Sequence, residues 1–306
     1  MRSDRIRWLV RCSQAHGKHS LVQRNPTSLF THTCIPAKRL LLQGTAGHIS
    51  PCTVVTMALY DDSDFFTNYL TLPRQQQGHG GAPEWPILRS MVGSVTSQKV
   101  LDLGCGLGWF ARYAVENGAS HVDALDTSRR MISRAQEMTP AAIADRIHYR
   151  IQDINELTLE ANSYDLIYSS LTFHYLPASS FTGLLARFRD ALRPGGRLVF
   201  SCEHPIYTAP TYDAFISVDF PSGEREEHVW PLNRYGYEGL RETNWLGGHV
   251  KKYHRTMTTY VQSLIDARFI IRELREYMAT AEDLEKEPQW KGALERPIFL
   301  MVKGER

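Results

Sequence analysis

From residue 97 onward, short apolar runs alternate with longer amphipathic stretches, the pattern of a parallel α/β sheet. Residues 100–103, 121–126, 147–151, 164–170 and 197–202 predict five strands. The intervening periodic stretches predict helices at 111–117, 129–137 and 181–192, the second capped by Thr127-Ser128. A helix at 257–267, a strand at 269–274, a helical stretch at 281–286 and a last strand at 298–302 bring the strands to seven. Earlier, a helical beginning at 64–70 leads through a turn-rich loop at 78–86 to a helix at 86–92. Two segments lack such order. Residues 1–56 show no sustained period, and 205–250 mix prolines and glycines with many aromatics.

The first strand runs into Gly104-Cys105-Gly106-Leu107-Gly108 and then a helix. Glycines at alternate positions let the backbone turn tightly and approach a ligand, and the helix start offers unpaired N–H groups to an anionic or nucleotide-like molecule. A dinucleotide fingerprint needs its third glycine where Trp109 stands, so a nicotinamide oxidoreductase is disfavoured.

The run Asp102-Leu103-Gly104-Cys105-Gly106-Leu107-Gly108 resembles the first motif of the class I S-adenosylmethionine-dependent methyltransferases, in the branch that methylates small molecules. The resemblance covers about residues 60–306 and is strongest over 100–204. It implies a doubly wound, Rossmann-like, mostly parallel sheet of seven strands with one antiparallel strand, an inserted substrate lid after the fifth, and S-adenosyl-L-methionine as cofactor. Arg193-Pro194-Gly195-Gly196 matches the family turn into the fifth strand.

Strand ends supply the candidate contacts. Asp126 closes the second strand 20 residues after Gly106, where a carboxylate can accept both ribose hydroxyls. By resemblance, Asp153 meets the adenine amino group with Ile154 against the ring, and Asp102, Gly104 and Ser169 face the amino-acid end. Gly106 and Gly108 complete the loop. Methyl transfer is an in-line displacement in which alignment matters most, and a base is needed only where the nucleophile arrives protonated. His174, Glu203 and His204 are the candidate bases, although the histidine after the fourth strand can equally pack and cap, and Glu203 can equally anchor the insertion. Tyr69, Arg74, Glu84 and Trp85 are candidates for the substrate side. Tyr207, Tyr212, Phe215, Phe220, Trp230, Tyr235, Tyr237 and Trp245 predict an aromatic acceptor pocket in the insertion or, equally, its own small core.

Charge narrows the partners. The 306-residue chain carries a net +2, but residues 1–56 hold eight Lys or Arg against Asp4 alone; the remaining 27 basic and 32 acidic residues give 57–306 a net −5. An acidic body does not attract nucleic acid through its phosphates. Where amino-group methylases of nucleic acids and protein glutamine carry Asn-Pro-Pro-Tyr or Asp-Pro-Pro-Tyr, this chain has Ser169-Ser170-Leu171-Thr172. A small-molecule acceptor is therefore expected; a macromolecular acceptor and a non-catalytic cofactor-binding module are the competing readings. The spacing of Cys12, His16, His19, His32 and Cys34 matches no zinc module, so no metal is expected. Five cysteines without close pairs, and no apolar run long enough for a membrane, suggest a cytoplasmic protein. Residues 1–56 read as a transit peptide, which would make it mitochondrial, as a disordered extension, or as translated sequence upstream of a start at Met57.

Overall fold

The strands run β1 (Lys99–Leu103), β2 (His121–Asp126), β3 (Ile147–Ile151), β4 (Tyr164–Ser170), β5 (Leu192–Glu203), β6 (Ile216–Asp219), β7 (Glu226–Val229), β8 (Gly239–Trp245), β9 (Gly248–His254), β10 (Ile270–Tyr277) and β11 (Phe299–Glu305). The computed structural model describes residues 59–211, 216–219, 226–286 and 288–306. What was expected of 1–56, Met57, Tyr212, Phe215 and Phe220 lies outside them. Helices are α1 (Ser63–Leu70), α2 (Pro73–Gln76), α3 (Trp85–Val92), α4 (Trp109–Glu116), α5 (Arg129–Glu137), α6 (Ala141–Ala144), α7 (Ala178–Ala191), α8 (Pro205–Thr208), α9 (Met257–Asp266) and α10 (Ala281–Lys286). Among the described residues, no helix is long and apolar enough to cross a membrane.

Seven strands form one sheet in the order β10-β11-β5-β4-β1-β2-β3, and β11 alone runs antiparallel to its neighbours. Both faces of a parallel sheet are covered by helices, so its strands need apolar side chains on either side. Val100, Val122, Leu166 and Val199 pack on one face with Leu88 and Met91 of α3 and Phe110 of α4. Leu101, Leu125, Ile167 and Phe200 pack on the other with Phe181, Leu185 and Phe188 of α7 and Leu264 of α9. The chain moves outward from β1 through β2 to β3, then returns to β4 on the opposite side of β1. That reversal opens a crevice at the carboxyl ends of β1 and β4.

The structure departs from the sequence pattern at two places. Residues 193–196 are not a separate turn: β5 already begins at Leu192, with Gly195 at φ +76° and a register shift against β4 after Tyr164. The later part of the insertion is regular, because β8 and β9 form an antiparallel hairpin turning at Leu246-Gly247, both with positive φ. β6 and β7 pair with each other.

Candidate active site

A cavity of about 850 Å³ occupies the crevice. Its lining comes from the ends of all five strands β1 to β5, from α1 to α3 and the turns between them, from the β8–β9 hairpin and from the turns before β11.

The β1–α4 loop forms one wall. Gly104, Gly106 and Gly108 all have positive φ, from +52° to +72°, the left-handed region in which a side chain is strained. At Gly106 a Cβ would project into open space, whereas at Gly104 it would strike Thr172 Oγ1 and at Gly108 Tyr149 Oη. Gly106 is thus the residue whose bare backbone faces the cavity. Gly108 lies outside the lining; its place as a ligand contact is corrected to that of the α4 N-cap, backed by the Tyr149 ring.

Asp126 fixes this loop. Its Oδ2 accepts the Gly106 N–H at 3.0 Å and its Oδ1 accepts the Ser128 N–H at 2.9 Å, so the carboxylate ties the glycine loop to the start of α5 while lining the cavity. Burial pushes its pKa up against those two bonds. Asp102, 2% exposed, is pushed up to about 8, first by burial and then by the nearby Asp126 charge; its Oδ2 has no partner among the described residues. Asp153 lines the cavity from the β3 end, with Oδ1 accepting both the Asn155 N–H at 2.8 Å and Asn155 Nδ2 at 2.9 Å, while Ile154 beside it is buried. Ser169 does not reach the cavity: its Oγ donates to Leu103 O at 3.0 Å between β4 and β1, and Ser170, on the alternate face, takes the lining position.

Beyond β4 and β5 lies a second wall. The Glu203 backbone N–H donates to His174 Nδ1 at 3.3 Å, so the neutral ring carries its proton on Nε2, 4.0 Å from Glu203 Oε1. Burial pushes the His174 pKa down to about 4. Neutral at pH 7, His174 has its Nδ1 engaged by the Glu203 N–H, the packed and hydrogen-bonded placement that was the alternative to a base. Burial raises the Glu203 pKa, but His174 and Lys252 more than offset this and hold it below the ordinary range; the Lys252 Nζ–Glu203 Oε1 contact is short. His204 is also corrected. It lies outside the lining, 2% exposed, with Nε2 at 2.7 Å from Glu276 Oε1 and Nδ1 accepting the Ile206 N–H, so it caps α8.

Of the aromatics in the insertion, Tyr207 and Trp245 line the cavity, while Trp230 stacks on Tyr207 from outside, with ring centroids 5.8 Å apart. Tyr235 packs against His254, and Tyr237 is exposed. Tyr69, Arg74, Glu84 and Trp85 all reach the lining; Arg74 grips the buried Glu84 with two bonds of 3.0 and 3.2 Å. Tyr60 Oη lies 3.1 Å from Tyr175 Oη.

Two cations escaped the sequence reading. Lys252, 7% exposed, points inward from β9 with the rings of Trp245 and Tyr207 at 5.7 and 5.9 Å. Arg255 is fully buried beneath the β4–α7 turn, donating to the carbonyls of Phe173 and Leu176. The segment 248–254 sets Lys and His on both of its faces, so no alternation singles out Lys252, and no spacing points to Arg255.

Across one roof the two walls meet. Asn68 of α1 donates to Leu246 O at the hairpin tip at 3.0 Å, and Phe65 packs edge-on against Trp245 at 5.9 Å. Asp61 Oδ1 accepts from Ser128 Oγ at 2.7 Å and from the Arg130 N–H at 3.0 Å, tying the segment before α1 to the start of α5.

Residues 100–196 match the family model of a methyltransferase domain. The chain is 41% identical to the S-adenosylmethionine dependent methyltransferase from Mesorhizobium loti, over 75% of this chain and 100% of that one, with a TM-score of 0.66. It is 32% identical to an uncharacterised protein of Haemophilus influenzae, over 82% of this chain and 97% of the relative. It is also 36% identical to a malonyl-[acyl-carrier protein] O-methyltransferase of Erwinia billingiae over 138 residues, 45% of this chain, and spans about half of that relative (49%).

Proposed function

The chain belongs to the S-adenosylmethionine-dependent methyltransferases, and from that premise we propose that it methylates a small hydrophobic or aromatic molecule seated beyond β4 and β5, under the β8–β9 hairpin. The observation that carries this reading is the arrangement of this cavity, with a glycine-and-carboxylate wall on one side and an aromatic wall from the insertion on the other.

The residues present fit the cofactor. S-adenosylmethionine carries two cationic groups, an ammonium and a sulfonium, and the lining contributed by residues 102–154 includes Asp102, Asp126 and Asp153 but no Lys or Arg. Gly106 leaves open the space that a Cβ would fill, and Asp102 Oδ2 is buried without a partner among the described residues. In this reading Asp126 holds the ribose hydroxyls while still gripping the Gly106 N–H, Asp153 and Ile154 hold the adenine, and Asp102 and Gly104 face the amino-acid end. When bound, the cofactor supplies an electrophilic methyl group on sulfur. The protein's share is alignment, with Tyr60, Tyr175, Glu203 and Lys252 shaping the acceptor side.

Two measurements test the proposal. Calorimetry should give micromolar binding of S-adenosylmethionine or its demethylated product and none of nicotinamide dinucleotides. Labelled S-adenosylmethionine incubated with a cell metabolite extract should transfer its methyl group to a low-molecular-weight compound. Binding without transfer would leave the competing reading of a cofactor-binding module.

A further inference from the structure

Arg255, the residue after β9, carries a charge into the core. It is 0% exposed, and every hydrogen bond it makes among the described residues goes to a neutral oxygen: Nη1 donates to Phe173 O at 3.1 Å and to Tyr260 Oη at 3.4 Å, and Nη2 donates to Leu176 O in a short contact. Its guanidinium lies over the rings of Phe181, at 4.9 Å, and Tyr260, at 5.6 Å. Taking a cation out of water is costly unless its donors are matched, so its value lies in what it holds.

The two carbonyls bracket the turn after β4. Phe173 and Leu176 stand on either side of His174 and Tyr175, and both of those inner residues line the cavity, whereas Arg255 lies outside the lining. The turn is a single 3₁₀ turn, closed by the Leu176 N–H donating to Phe173 O at 3.2 Å, and such turns have weaker hydrogen-bond geometry than an α-helix. The planar guanidinium spans both ends of it. From this turn His174 Nδ1 accepts the Glu203 N–H, and Tyr175 Oη lies 3.1 Å from Tyr60 Oη. Next to Arg255, His254 is bound to Thr208 Oγ1 of α8 at 2.8 Å and to Tyr235 O at 2.9 Å. The root of the hairpin is thus fastened to α8 by one residue and to the β4 turn by the next.

We propose that Arg255 is a positioning residue for methyl transfer: by gripping Phe173 O and Leu176 O it sets Tyr175 against Tyr60 and so fixes where the acceptor sits relative to the transferable methyl. The proposal rests on the reading that the acceptor lies beyond β4 and β5, and adds to it a residue that touches neither ligand. Alignment is what such a grip protects, since about 1 Å of misplacement costs on the order of a hundredfold in rate. Lysine cannot substitute, because a point charge on a flexible stem has no rigid fork with which to hold two carbonyls.

The test uses the full chain, tritiated S-adenosylmethionine and, as acceptor, the metabolite that the wild-type chain labels in the extract. Arg255→Lys keeps the charge and removes the fork. It should lower kcat by about tenfold to a hundredfold through misalignment, while the circular dichroism spectrum and the calorimetric cofactor Kd stay those of the wild type. Tyr175→Phe, which removes the hydroxyl contact and keeps the ring, should also lower kcat. The Arg255→Lys/Tyr175→Phe double variant should be no more than about twofold slower than the slower single variant, because both changes undo one placement. Effects that multiply in the double variant would make Arg255 a general support of the core and overturn the proposal, as would a wild-type kcat in Arg255→Lys. Loss of the wild-type spectrum or of cofactor affinity in Arg255→Lys would overturn it in the same way. In all three cases transfer by the wild-type chain leaves the methyltransferase reading intact, whereas no labelled metabolite with the wild-type chain would remove the acceptor reading and this proposal together.

Discussion

The wall at the ends of β1 to β3 and the wall beyond β5 are built by different rules. The first is backbone and short carboxylates: positive-φ glycines, with Asp126 accepting two N–H groups and Asp153 two Asn155 donors. The second is long side chains, aromatic rings and cations carried on a hairpin that lies outside the main sheet. A wall of backbone and short carboxylates suits one invariant ligand. The other can be rebuilt side chain by side chain without disturbing the sheet, as acceptor choice requires.

If the division is real, damage to one wall should not be felt at the other. The largest effect is expected for Asp126→Ala, which removes the acceptor of the Gly106 and Ser128 N–H groups as well as the ribose contact; calorimetry should show cofactor binding weakened by about 1.5–3 kcal/mol, roughly 10- to 150-fold. Trp245→Ala comes next. It should cut methyl transfer by about tenfold to a hundredfold through misplacement of the acceptor, yet leave cofactor affinity within error, and joint loss of cofactor binding and thermal stability would merge the two walls into one core.

His174→Asn sharpens the same comparison. An amide oxygen can still accept the Glu203 N–H, so kcat should fall less than about tenfold, against the hundredfold or more that losing a general base costs. A rate rising with pH through a single ionisation, and lost in this variant, would restore the histidine as a base.

The smallest effect is a pH dependence of the first wall. The Asp102 pKa in the folded chain, about 8, lies above its ordinary value of 3.8, so its favourable contribution to folding is complete below pH 4 and disappears as pH rises through 8. The melting temperature of the free protein should decline from pH 5 to 9, and Asp102→Asn should flatten that slope. A cationic cofactor favours the ionised carboxylate, so binding near pH 7 should release protons, seen as a dependence of calorimetric heat on the buffer.

The first wall was legible in the sequence because its signals are local. A buried strand is a short apolar run, a loop that approaches a ligand needs glycine, and carboxylates at strand ends fall where a parallel sheet opens. What strand ends do not reveal is which face a side chain takes: Ser169 and His204 stand one residue away from Ser170 and Glu203, which line the cavity. The second wall was harder to read. The β8–β9 hairpin turns Arg241, Thr243 and Lys252 inward, so its alternation never shows as apolar against polar, and Lys252 resembled an ordinary surface lysine beside Lys251. Arg255 owes its buried place to two carbonyls 79 and 82 residues away in the chain, a partnership without sequence spacing.

The contact between Asn68 and Leu246 joins segments 178 residues apart. It ties the helix that carries Tyr69 to the hairpin that carries Trp245, so two aromatic parts of the lining that are far apart in the chain are held to each other by a bond made outside the cavity.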